Sequence, residues 1–184
     1  MPTHLIQFIL DGGRVVWNNP RLVVHAGIND PNQADYDHKR RSCLNNGAKM
    51  IRYFDMEEDV ASGAEACYPG ALPGGGTDAT FTPEGFESGK GMARGHLIAK
   101  ELGGSGSDGR NIVALYQNKV NSSAMWHGVE KVVQAWVEEG QDVYYRVVPE
   151  FKNNDPGNNP VPTHVRIIVA ANRGAITARI ENRK

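Results

Sequence analysis

Arg94 and His96 stand two residues apart in the run GMARGHLIAKELGGSGSDGRN, residues 91–111. On a strand, side chains two apart leave the same face, so a guanidinium and an imidazole would sit side by side. An imidazole can accept a proton from water near neutral pH, and a planar guanidinium bonds two phosphate oxygens at once. Further along, Asn121 opens the stretch NSSAMWHGVEKVVQAWVEEG (121–140), which carries Glu130 on its way. At roughly 100° per residue, Asn121 lies about 40° from Met125, near the apolar side of a helix. An amide oxygen there, aimed at the strand pair, would suit a hard cation such as Mg²⁺ as its single protein ligand. With Asn111 between them, these residues supply a base, a phosphate clamp and a metal anchor, the parts of a phosphodiester hydrolase.

Each residue also has a plainer reading. A lone histidine is often bonded inside a turn, a lone arginine is often a surface cation, and asparagine is a common helix N-cap. The combination, rather than any member, points to chemistry. Asn118 is a rival metal ligand, but Asn121 is preferred because it begins NSSAM. The glycines at 103, 104, 106 and 109 lack the GK[ST] or GxGxxG context of a phosphate loop and read as a flexible turn.

The elements that must position these groups are legible in outline. Residues 14–27 suggest two short strands about a turn at Asn18–Asn19–Pro20, and 48–56 suggest another. From Ala61 to Lys90 the chain is rich in Gly, Pro, Thr and Ser and reads as a long surface loop. Met125, Val129, Val132, Val133, Trp136 and Val137 fall on one face of a helix that stops at Gly140. DVYYRVVPEF and PTHVRIIVAA then read as antiparallel strands about the turn-dense NNDPGNNP. The order from residue 94 is strand, glycine-rich loop, strand, helix, strand, strand, which predicts an α+β domain.

The 184 residues, 40% hydrophobic and 22% charged, are enough for one compact domain with a real core. No apolar run is long enough to span a membrane. The start of the chain reads as a poor signal peptide. Net charge is −1, but residues 1–90 carry 8 Lys/Arg against 12 Asp/Glu, whereas residues 91–184 carry 12 against 9. The second half is therefore the better side for an anion. Cys43 and Cys67 fit no metal spacing and read as two unrelated thiols, with a disulfide as the alternative in an oxidising compartment.

RGHLIA through LGGSGSDGRNIV to NSSAM resembles the DNA/RNA non-specific endonucleases, the ββα-metal or His-Me finger nucleases. The likeness is to the branch found as C-terminal domains of bacterial polymorphic toxins. It covers roughly residues 89–170, with RYFD at 52–55 a looser match. It implies an α+β fold with a mainly antiparallel sheet and one main helix. A single nuclease domain would span 1–184 around a ββα core at about 90–140. His96 would be the general base, Arg94 the phosphate contact and Asn111 an orienting residue. Asn121 would be the metal ligand, and Glu130 would hold a metal-bound water. Mg²⁺, with Mn²⁺ as substitute, would be the cofactor, DNA and also RNA the substrates, and an immunity protein the partner. Delivery would be through a specialised secretion route into a target cell. A stand-alone exported nuclease and an inactive nucleic-acid-binding module are the alternatives.

Two positions depart from the family pattern. Ala93 stands where an acid normally precedes the arginine. Glu130 is nine residues after Asn121 instead of eight, and Val129 holds the expected place. An ideal helix separates those two positions by about 100°. Either a π-type bulge at Gly128 brings Glu130 round, or Glu130 is a solvated surface residue.

Overall fold

The computed structural model describes residues 22–27, 38, 39, 41, 50–116, 129–171 and 174–184. Their main feature is a six-stranded antiparallel sheet. In chain order its strands are β1 (Leu22–Gly27), β2 (Met50–Tyr53), β3 (Ala64–Pro69), β6 (Asp142–Glu150), β7 (His164–Ala171) and β8 (Gly174–Glu181). Across the sheet they run β1-β8-β7-β6-β3-β2. The other two strands, β4 (Met92–His96) and β5 (Ile112–Tyr116), form a separate antiparallel hairpin. The helix described, α1, spans Lys131–Glu138.

Alternation decides which sheet face is buried. Ala66, Tyr145, Val169 and Ile176 stand opposite one another across four strands, as do Ala64, Val147, Ile167 and Ala178. All eight are buried in one core with Leu97, Ile98, Leu102, Val113 and Leu115 from the hairpin layer. Val129, Val132, Val133 and Val137 add the helix stripe, with Trp136 packed beside them. The sheet and the hairpin-helix layer thus share one apolar interior. Gly140, in the left-handed region at φ 82°, ends the helix as expected.

The antiparallel strands 142–150 and 164–171 and the strand–loop–strand–helix order from residue 92 match the sequence reading. The loop assigned to 61–90 does not match throughout. Ala64–Pro69 is an interior strand, paired with β2 on one side and β6 on the other. Its inward residues are Ala64, Ala66 and Tyr68. Two alanines give little hydrophobic contrast, and flanking glycines disguise the run as a loop. Cys67 also corrects an expectation: its sulfur is in a disulfide rather than free. It sits on the opposite sheet face, in a small cluster with Tyr144, Ala170 and Ala175. Cys43, the chain's other cysteine, lies outside the described residues, as do residues 14–21 and Met125.

Candidate active site

β4 presents its side chains as its sequence demands. Ala93 and Gly95 face inward, while Arg94 is exposed and His96 half-exposed on the other face. His96 pairs with Ile112 and Arg94 with Ala114 across the hairpin. Gly95, between them, faces the Leu115 side chain, which leaves no room for a Cβ.

The histidine is fixed by the main chain. Its Nε2 lies 2.8 Å from the carbonyl oxygen of Thr77. A carbonyl can only accept, so Nε2 carries the proton and Nδ1 keeps the free lone pair. Thr77 is held in turn. Its N–H donates to the Gly104 carbonyl at 3.1 Å, and its Oγ1 accepts from the Gly106 N–H at 2.8 Å. The glycine run is therefore a docking surface more than a flexible turn. A Cβ on Gly104 would collide with the Ile98 carbonyl, and one on Gly106 with the Asp78 carbonyl. Only bare backbone lets the two segments approach this closely. Beside them Lys100 Nζ meets Asp78 Oδ1 at 2.6 Å, and that contact holds the Asp78 carboxyl below its ordinary range.

Asn111 is fully buried, and its amide is spent on backbone. Oδ1 accepts from Ile98 N–H at 2.8 Å. Nδ2 donates to the carbonyls of Ile98 at 3.1 Å and Ser105 at 2.9 Å. The side chain ties the end of the histidine strand to the glycine loop. Two sheet tyrosines hold the same segment from below: Tyr68 Oη donates to the Leu102 carbonyl at 2.8 Å and Tyr145 Oη to that of Leu97 at 3.4 Å. Burial pushes both phenols well above their ordinary range, so they remain donors.

Glu130 is 4% exposed, which rules out a solvated surface position. Val129 and Glu130 form a widened, π-type turn leading into α1. Burial first, and then the nearby Glu101 carboxylate, push its carboxyl up to about 8. Among the described residues its oxygens have no hydrogen-bond donor. Buried carboxylate oxygens are hard acceptors of the kind that the waters of a hydrated divalent cation can bond. Asn121 lies outside the described residues, as do Asn118 and Gly128.

The raised Glu130 value has a stability consequence. Between its ordinary value of 4.5 and about 8, the unfolded chain gives up this proton while the folded one keeps it. Its contribution is full below the lower value and is lost as pH rises through the upper one. EDTA-treated protein is expected to lose on the order of a few kcal/mol over that window. Melting curves at stepped pH check this, and Glu130→Gln should flatten the slope.

Residues 77–169, a stretch that includes His96, Asn111 and Glu130, match the family model described as DNA/RNA non-specific endonuclease. The chain belongs to that family. As a member it is a hydrolase that cleaves nucleic-acid phosphodiester bonds. Its fold is similar to that of NucA from Streptococcus agalactiae with magnesium ion bound: TM-score 0.61, 19% identity, 74% of each chain. It is also similar to an extracellular nuclease, with a TM-score of 0.54 at 16% identity over 75% of this chain and 86% of that one. Sda1 nuclease with bound zinc ion gives a TM-score of 0.52 at 16% identity, over 73% and 74% of the two chains. No curated protein matches the chain. No helix among the described residues is long and apolar enough to cross a membrane.

Thr77, Tyr68, Tyr145 and Asn182 also support the candidate site, and no motif or spacing along the chain marks them. Asn182 joins the end of β5 to the sheet, with Oδ1 accepting from Tyr116 N–H and Nδ2 donating to the Ala114 and Pro162 carbonyls. Its place two residues from the chain end gave no local signal.

Proposed function

We propose that the chain is one nuclease domain that cleaves DNA, and RNA as well, without sequence preference, using Mg²⁺ or Mn²⁺. The reading is carried by the imidazole at His96, whose Nε2 donates to the Thr77 carbonyl and so leaves the basic lone pair of the neutral ring on Nδ1. His96 takes the proton from the attacking water at Nδ1. Arg94 bonds the non-bridging oxygens of the scissile phosphate and offsets their charge as the new bond forms. Asn121 supplies the protein ligand to the ion, and Glu130 accepts hydrogen bonds from the ion's hydrating waters. A divalent cation bound there polarises the phosphate and stabilises the leaving oxygen. Asn111 holds the strand end in place. Contacts confined to phosphates read no bases, hence the lack of specificity.

The biological setting in this reading is the toxin domain of a secreted bacterial effector, delivered into target cells and countered by an immunity protein. Cys67 favours a second reading, a stand-alone exported nuclease, because disulfides persist outside the reducing cytosol. Expression in the bacterial cytoplasm separates them: growth arrest relieved by a neighbouring gene's product supports the toxin, and its absence supports the exported enzyme. The biochemical test is plasmid nicking with Mg²⁺, with EDTA and with His96→Ala. Cleavage only by the wild type with Mg²⁺ is the expected result, and DNA binding without cleavage under any divalent ion would favour an inactive binding module.

A further inference from the structure

Arg94 differs from most of the chain's other described arginines in what holds it. Arg52 meets Glu65 at 2.6 Å, Arg110 meets Asp108 at 2.7 Å, Arg166 meets Glu150 at 2.6 Å, Arg179 meets Glu150 at 2.8 Å and Arg183 meets Glu181 at 3.2 Å. Arg146, over Phe54, is hydrogen-bonded to Tyr144 and stands across from Glu65. Among the described residues Arg94 meets no carboxylate. Its guanidinium lies over the ring of Phe86, 5.5 Å from the centroid.

The difference matters for an anion site. A carboxylate partner spends the N–H fork that a phosphate needs and places negative charge where the phosphate must come. A ring attracts the cation through its π face, and any N–H···π contact it accepts is weak beside a bond to a charged oxygen. It restrains the guanidinium while leaving its donors free and its charge uncompensated. The backbone that carries the ring is secured: Phe86 N–H donates to the Pro83 carbonyl at 3.2 Å, and adjacent Gly85 lies so close to Pro160 and Val161 that a Cβ there would collide with Val161. Phe86 itself is half-buried.

We propose that Phe86 is a positioning residue for phosphodiester cleavage, its ring holding Arg94 on the face shared with His96 without spending the donors of the guanidinium. The proposal rests on the role given to Arg94 above. The test compares kcat/KM on plasmid DNA, with Mg²⁺, for Phe86→Leu, Phe86→Tyr, Arg94→Ala and the Arg94→Ala/Phe86→Leu pair. Phe86→Leu should lower kcat/KM about two- to five-fold, the worth of an exposed cation–ring contact. Phe86→Tyr, which keeps a ring, should restore it, and Phe86→Leu should add no loss to Arg94→Ala. No loss for Phe86→Leu, an equal loss in both backgrounds, or a tyrosine variant as poor as leucine would each overturn the proposal. Arg94→Ala with full activity would overturn it through the role of Arg94, with His96→Ala then showing whether the rest of the site reading stands.

Discussion

Replacing His96 with alanine is expected to lower plasmid cleavage by about 10²–10⁴-fold, the usual contribution of a general base. The fold should survive. His96 is half-exposed, and among the described residues its imidazole bonds the Thr77 carbonyl. Thr77 retains its own anchors on Gly104 and Gly106 when the ring is removed. His96→Gln sharpens the test, because its amide can still donate to Thr77 but has no basic nitrogen. It should be as inactive as alanine with an unchanged melting curve. Cleavage that survives either change would mean that another group activates the water.

Asn111→Ala should fail differently. Three hydrogen bonds to the backbone of Ile98 and Ser105 would be lost in a fully buried place. Each backbone group left unpaired costs about 1–3 kcal/mol, so the loss of stability should be roughly 3–9 kcal/mol. Urea unfolding would measure it. Asn111→Asp should be no better, since it turns the Nδ2 donor into an acceptor facing two carbonyls. Unchanged unfolding with abolished cleavage would instead place Asn111 among the reacting groups.

Much of this organisation is visible along the chain because it depends on period. Arg94 and His96 share a face because a strand repeats every two residues, and Val132, Val133 and Val137 share one because a helix repeats every 3.6. The inward rows of β6 and β7 follow from the same alternation. What escaped depends on other physics. β3 turns alanines inward, where size rather than hydrophobicity suits the space. Thr77 acts on His96 through a main-chain carbonyl, which every residue has and no sequence can single out. An ideal helical wheel sets Glu130 about 100° from Val129, off the apolar face, whereas the chain buries it in a π-type turn that the wheel cannot represent. Phe86 sits in a turn-rich stretch without periodicity, so its meeting with Arg94 is a product of tertiary contact alone.

In the proposed site the His96 imidazole and the Asn121 carboxamide face one divalent ion. Anomalous diffraction from a crystal soaked in Mn²⁺ tests it directly. One bound ion is expected, bonded to the Asn121 side-chain oxygen, with Nδ1 of His96 across a gap of about one water from its shell. An ion bound elsewhere, or His96 and Asn121 opening on opposite sides of the molecule, would contradict it.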